Sequence, residues 1–258
     1  MIATATTERL ATPVRGIGGF FAMSADALVA LVRRRFAFQE FIDQTWFVAR
    51  VSTLPGCVMT LAFCVLAVFM FNVLLVEIGA ADLSGAGAAL ALISQTGPIA
   101  TTLVLGGAAA TAMCADLGSR TIREEIDAMR VLGIDPVQRL VVPRVAAIAL
   151  NGVLLYALLC VVGLVTGYLF SVYFQAVSPG SFAASLTLLT GLTDLIIGIV
   201  KALIFGVTAG LIACYKGLNV KGGAQGVGNA VNETVVFTFM ALFLLSTILT
   251  TVGNAVKR

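Results

Sequence analysis

Between Leu140 and Phe174 the chain reads LVVPRVAAIALNGVLLYALLCVVGLVTGYLFSVYF. A helix rising 1.5 Å per residue needs about 20 apolar residues to cross the hydrocarbon core of a bilayer. This stretch is too long for a straight perpendicular crossing, so tilt or extension beyond the bilayer is expected. Four further stretches are long and apolar enough to span: approximately Leu54–Val76, Leu90–Ala115, Leu188–Cys214 and Val235–Val252. Pro55 and Pro143 fall near the expected helix starts, where a missing N–H is tolerated. Pro98, after Gly97, marks a kink or a later start of the second span. Composition agrees: 59% of the 258 residues are hydrophobic and 11% charged, against about 25% charged in soluble domains. The fold class expected is an all-α polytopic membrane protein with five transmembrane helices.

Basic residues alternate between the connections. Arg9, Arg15, Arg33, Arg34, Arg35 and Arg50 precede the first span. Arg120, Arg123, Arg130, Arg139 and Arg144 lie between the second and third, and Lys216 and Lys221 between the fourth and fifth. The connections around Glu77–Ala89 and Gln175–Thr187 have no Lys or Arg. By the positive-inside rule the N-terminus is cytoplasmic and, after five spans, the C-terminus external. Lys257 and Arg258 run against that placement.

Residues 18–50 are less apolar but periodic. Leu28, Leu31 and Val32 share one helical face, and so do Phe38, Phe41, Ile42 and Trp46. This suits an amphipathic segment on the cytoplasmic interface, with Arg33–Arg35 at the headgroups; a soluble helix packed on a partner is the other reading. The domain division is residues 1–53, N-terminus and interfacial helix, and 54–258, the transmembrane domain.

The chain contains no histidine, which removes the commonest general base and metal ligand. Cys57, Cys64, Cys114, Cys160 and Cys214 lie in apolar stretches without CxxC spacing and read as small hydrophobes. No Walker A motif occurs; the Gly222–Gly228 run GGAQGVG has no GK[ST] after it and reads as a flexible turn. No enzymatic activity, no metal and no nucleic-acid partner are expected. Gly163/Gly167 and Gly206/Gly210 are small-xxx-small pairs that allow close helix packing, within the chain or to a partner.

The segment from Ala115 to Pro136, ADLGSRTIREEIDAMRVLGIDP, carries most of the information. Ser119 or Thr121 can cap a helix, Ile122, Ile126 and Met129 make an apolar stripe, and Gly133 with Pro136 ends it. Arg120, Arg123, Glu124, Glu125, Asp127 and Arg130 occupy the other faces, with Arg123/Asp127 and Asp127/Arg130 within helical reach. The helix is either a solvated connector or a docking surface for a cytoplasmic partner. Metal binding by the carboxylates is not expected, because adjacent side chains diverge and arginines already compensate them.

The string DLGSRTIREEIDAMRVLGIDPVQRLVVPR (Asp116–Arg144) resembles the MlaE/YrbE permease family. So does CYKGLNVKGGAQGVGNAVNETVV (Cys214–Val236). The details look like A-type YrbE subunits of actinobacterial Mce systems, and the likeness covers nearly the whole chain. The resemblance implies an ABC-type permease of the bacterial cytoplasmic membrane, with an interfacial helix before five membrane helices. It also implies a second permease subunit, a cytoplasmic ATPase dimer that binds the ATP, MCE-domain proteins outside, and a lipid substrate of the fatty acid or sterol class, moved by import. The stretch Arg120–Leu132 matches the coupling helix that fits the ATPase. Gln95, Ala108 and Asp116 stand where many members have Glu, Arg and Glu, which points to a non-identical partner permease. A non-ABC carrier or channel, or a membrane-embedded lipid-modifying enzyme, is the alternative.

Lys201 lies deep in the fourth span, and ionisable residues there are costly enough to be functional candidates. Asp194, seven residues earlier, shares its face but is two turns away. An interior ion pair or carbonyl contact and a place on the substrate path are both open for Lys201.

Overall fold

The computed structural model describes residues 16, 18–30, 36–175 and 177–256. Leu31, Val32, Arg33–Arg35, Lys257 and Arg258, used in the readings above, lie outside them. All regular structure among the described residues is helical. Helix α1 is Gly18–Ala30, α2 Phe38–Glu77, α3 Ser84–Ile122 and α4 Glu125–Val131. Then come α5, Val137–Phe174, α6, Pro179–Ser185, α7, Leu192–Leu218, and α8, Gly223–Val256. The five long ones, α2, α3, α5, α7 and α8, are long and apolar enough to cross a membrane, so the all-α, five-span architecture holds.

Three local readings need correction. Pro55 does not start the first span; it lies inside α2, which runs unbroken from Phe38. Its ring faces outward, and the hydroxyls of Ser52 and Thr53 bond the carbonyls of Val48 and Ala49 in the preceding turn. Membrane helices tolerate such prolines. Phe38, Ile42 and Trp46 are exposed on the first turns of this same continuous helix, and residues 53 and 54 both lie within it. The glycine run is not a loop either: only Gly222 and Gly223 take positive φ, 86° and 67°, and α8 starts there. Finally, Ser119 and Thr121 cap nothing. Their hydroxyls bond back to Asp116 O and Leu117 O, because α3 continues through them to Ile122.

Helix α3 lies innermost, 61% of its apolar window being buried against 22% for α2 and 11% for α8. Two π-helical turns, Ala91–Thr96 and Leu105–Ala109, interrupt it. Pro98 follows the first and has no N–H for the carbonyls behind it; the Tyr156 hydroxyl of α5 donates to Ile93 O at 3.0 Å. A second helix, α5, runs parallel to α2, with side-chain bonds at nearly constant offset: Arg144 to Glu40, Asn151 to Thr45 O, Cys64 to Gly163 O and Asn72 to Ser171.

The small-residue pairs are filled within the chain. A Cβ on Gly206 would lie 2.6 Å from Ala149 Cα, and one on Gly210 3.2 Å from Val145 Cα, so α7 crosses α5 backbone to backbone. Gly167 meets Val68 and Cys64 of α2. Lipid gives apolar helices no reason to separate from it, so close approach of this kind supplies the cohesion.

Helix α1 rests on the basic end of α7. Met23 and Ala27 are buried, the Phe20 ring meets Tyr215 edge-on, and the Tyr215 hydroxyl donates to Gly16 O at 2.8 Å. Phe21, Leu28 and Val29 remain outward.

Candidate functional site

The turn between α3 and α5 holds the residues singled out from the sequence. Helix α3 ends at Ile122, and Glu124 takes a left-handed conformation with φ 61°, so the chain bends before α4 begins. The expected helix of Arg120–Leu132 is thus two pieces, with Arg120 in the last turn of α3. Gly133, at φ 75°, ends α4. Ile126 is buried and Met129 packs beside it against the core, which turns the expected apolar stripe inward, while Ile122 stays exposed. Charges are compensated locally. Arg130 pairs with Asp127 at 2.8 Å, as spacing suggested, but Arg123 reaches Glu125 at 3.1 Å rather than Asp127, because the bend at Glu124 takes it off the helical register. At the tip, Val131 is 88% and Leu132 75% exposed.

Just inside this turn lies a cluster that sequence reasoning missed. Arg144 of α5 is completely buried; it pairs with Asp116 of α3 at 2.6 Å and with Glu40 of α2 at 3.1 Å. Arg120 Nε stands 3.5 Å from the same Asp116 oxygen. Two carboxylates and two guanidiniums therefore meet where three helices converge. A signal existed: Arg144 falls inside the apolar stretch that opened the sequence reading, and a charge there needs partners.

At the opposite, charge-poor end of the spans, a cavity of about 300 Å³ collects Phe71, Ser94, Gln95, Asp194, Lys201, Thr250 and Asn254. Four helices line it, and the first π turn of α3 supplies Ser94 and Gln95. Lys201 Nζ donates to Thr250 Oγ1 at 2.9 Å. Asp194 Oδ2 accepts the Gly191 N–H at 3.2 Å, at the start of its own helix. Lys201 and Asp194 share the cavity without a direct bond, as their two-turn separation required. Thr250 and Asn254 carried no sequence signal, because polar residues on an exposed span give no hint of what they face.

The chain matches a family model, Permease MlaE, over residues 41–252. The chain is 30% identical over 251 residues to a probable ABC transporter permease protein of Rickettsia bellii, covering 96% of each. To one of Synechocystis sp. it is 35% identical over 166 residues, covering 64% of this chain and 63% of that protein, less than two thirds of its length. The intermembrane phospholipid transport system permease protein MlaE of Haemophilus influenzae is 28% identical over 181 residues, 70% of this chain and 69% of that protein. With the family model running from the first turns of α2 almost to the end of α8, this chain belongs to the MlaE permease family.

Proposed function

We propose that the chain is the transmembrane permease subunit of an ABC-type lipid transporter, without catalysis of its own, and that α4 is its docking element for a separate ATPase. The observation that carries this is the α3–α4–α5 turn. Both of its arginines are paired within the turn, yet Val131 and Leu132 project from it 88% and 75% exposed at the arginine-rich end. An apolar tip ringed by paired charges suits a protein partner. By this reading the arginine-rich end is cytoplasmic, the N-terminus is inside and the C-terminus outside. Arg120, Arg123, Glu124, Glu125, Asp127, Met129 and Arg130 form or support the coupling surface. The cavity with Lys201 is the polar end of the substrate path, its ammonium facing the headgroup of a fatty-acid-class or sterol-class lipid during import.

The finer assignment is to an A-type YrbE subunit of an Mce system. A non-identical second permease would complete the pore, and MCE-domain proteins would receive or supply the lipid outside. Gln95 and Ala108, uncharged where many relatives carry charge, support a non-identical partner.

The test is co-purification. Glu124→Lys with Glu125→Lys places like charge on the docked face, which costs several kcal/mol at an interface. ATPase recovered with the tagged permease should fall at least about tenfold, while Asp82→Lys at the other end leaves recovery intact. Equal recovery and normal transport in both would reduce α4 to a solvated connector.

A further inference from the structure

The salt bridges of Arg144 join the helices on either side of α4 to the start of α2. Helix α4 is flanked by two backbone bends, at Glu124 (φ 61°) and Gly133 (φ 75°), which set it off from the helices on either side, and Ile126 and Met129 seat it on the core. Immediately inward of those bends, Asp116 on α3 and Arg144 on α5 join the two legs of the turn at 2.6 Å. Glu40 then ties the same guanidinium to the third residue of α2 at 3.1 Å, and Gln44 Nε2 donates to the same Glu40 oxygen from one turn on.

Apolar packing accompanies this link, Phe36 and Val48 belonging to the same core as Ile126, Met129 and Leu140. A cavity of about 340 Å³ separates Phe36 and Ala37, just before α2, from Gly133, Ile134, Asp135 and Arg139 at the foot of the turn. Beside that open pocket, the ionic bonds of the buried Arg144 add a directional tie to the apolar contact between the start of α2 and the turn. Further along, Asn151 Nδ2 donates to Thr45 O at 3.1 Å, which continues the attachment of α2 to α5.

A buried ion pair contributes little net stability over a well-packed apolar substitute, and registry or switching is its best-attested use. We propose that Glu40, Arg144 and Asp116 are positioning residues forming an ionic clamp, which makes the start of α2 move as one body with the legs of the α4 turn. Displacement of α4 then reaches the first span directly, and through Phe71 of that same helix the wall of the Lys201 cavity. This rests on the transport reading for its driving force, but the mechanical link does not.

The experiment uses Glu40→Ala, in which Arg144 keeps Asp116, with Glu233→Ala as control; Glu233 pairs with Lys216 at the same end but is half exposed. Two readouts are taken from the full chain in nanodiscs. Amide hydrogen exchange across residues 125–139 should rise about fivefold in Glu40→Ala and stay unchanged in Glu233→Ala, although Glu40 lies 85 or more positions away in sequence. In the assembly with its ATPase, lipid moved per ATP hydrolysed should fall about tenfold in Glu40→Ala alone. Glu40→Gln, which restores a neutral acceptor, should recover part of both. Unchanged exchange in Glu40→Ala overturns the clamp whatever the assembly does. Raised exchange with a wild-type ratio of lipid to ATP overturns it too, leaving Glu40 a local prop. If the wild-type assembly hydrolyses ATP without moving lipid, the transport reading fails instead, and exchange alone decides the clamp.

Discussion

Arg144 and Lys201 are both cations buried among spanning helices, and their surroundings differ in kind. Around Arg144, two carboxylates from two other helices and a second guanidinium close the electrostatic balance. Around Lys201, the one bond among the described residues is to a hydroxyl, and the ammonium borders open volume whose walls also carry Gln95, Asp194 and Asn254. The first arrangement spends its charges on holding helices together. The second keeps a charge available. A cation with built-in counter-ions serves structure, whereas one facing a cavity serves whatever enters it.

The comparison breaks most visibly in stability. Arg144→Met takes from Glu40 and Asp116 the guanidinium they share, leaving Asp116 with Arg120 among the described residues, and removing one partner of a buried pair costs about 3–5 kcal/mol. Thermal unfolding of the detergent-purified chain should show it as a large loss of Tm or as failure to accumulate. Lys201→Met should cost only about 0.5–1.5 kcal/mol, the scale of one hydrogen bond. Thr250 keeps its own bond to Ser246 O at 2.6 Å, so nothing polar is orphaned. Lipid retained through purification, measured by mass spectrometry, should nonetheless drop. If Lys201→Met melts as early as Arg144→Met, the cavity is a structural site and the contrast disappears. Asp127→Ala gives the baseline: its exposed pair with Arg130 is worth about 0.2–1 kcal/mol, and melting should barely move.

The spans were legible because a bilayer reads apolar length, a property summed over about 20 neighbouring residues. So was the α4 segment, whose Ile126–Met129 stripe and terminal Gly133 are local signals. What stayed hidden depended on residues far apart. The partners of Arg144 lie 28 and 104 positions away, and no periodicity joins them. The start of α2 was misplaced because Pro55 was read as a boundary by its local chemistry, while packing along α5 carries the helix through it. The π turns of α3 escaped for the same reason. They lie against rings of other helices, Tyr156 donating to Ile93 O and Phe239 standing beside Gly106, and nothing in ALISQT or LGGAA announces them. For the candidate site, Lys201 and Asp194 were visible as charges, but the cavity that unites them is made by four helices at once.

The parallel pairing of α2 with α5 sets an order of biosynthesis. Asn72 donates to Ser171, 99 positions later, so that partner does not exist when the first span leaves the ribosome. At about 5–20 residues per second, the missing stretch takes roughly 5–20 s to synthesise. During that interval an amide side chain sits in the insertion machinery or in lipid without its final bond, as do Cys64 and Glu40. The first span therefore completes its side-chain bonds only after the third has been made.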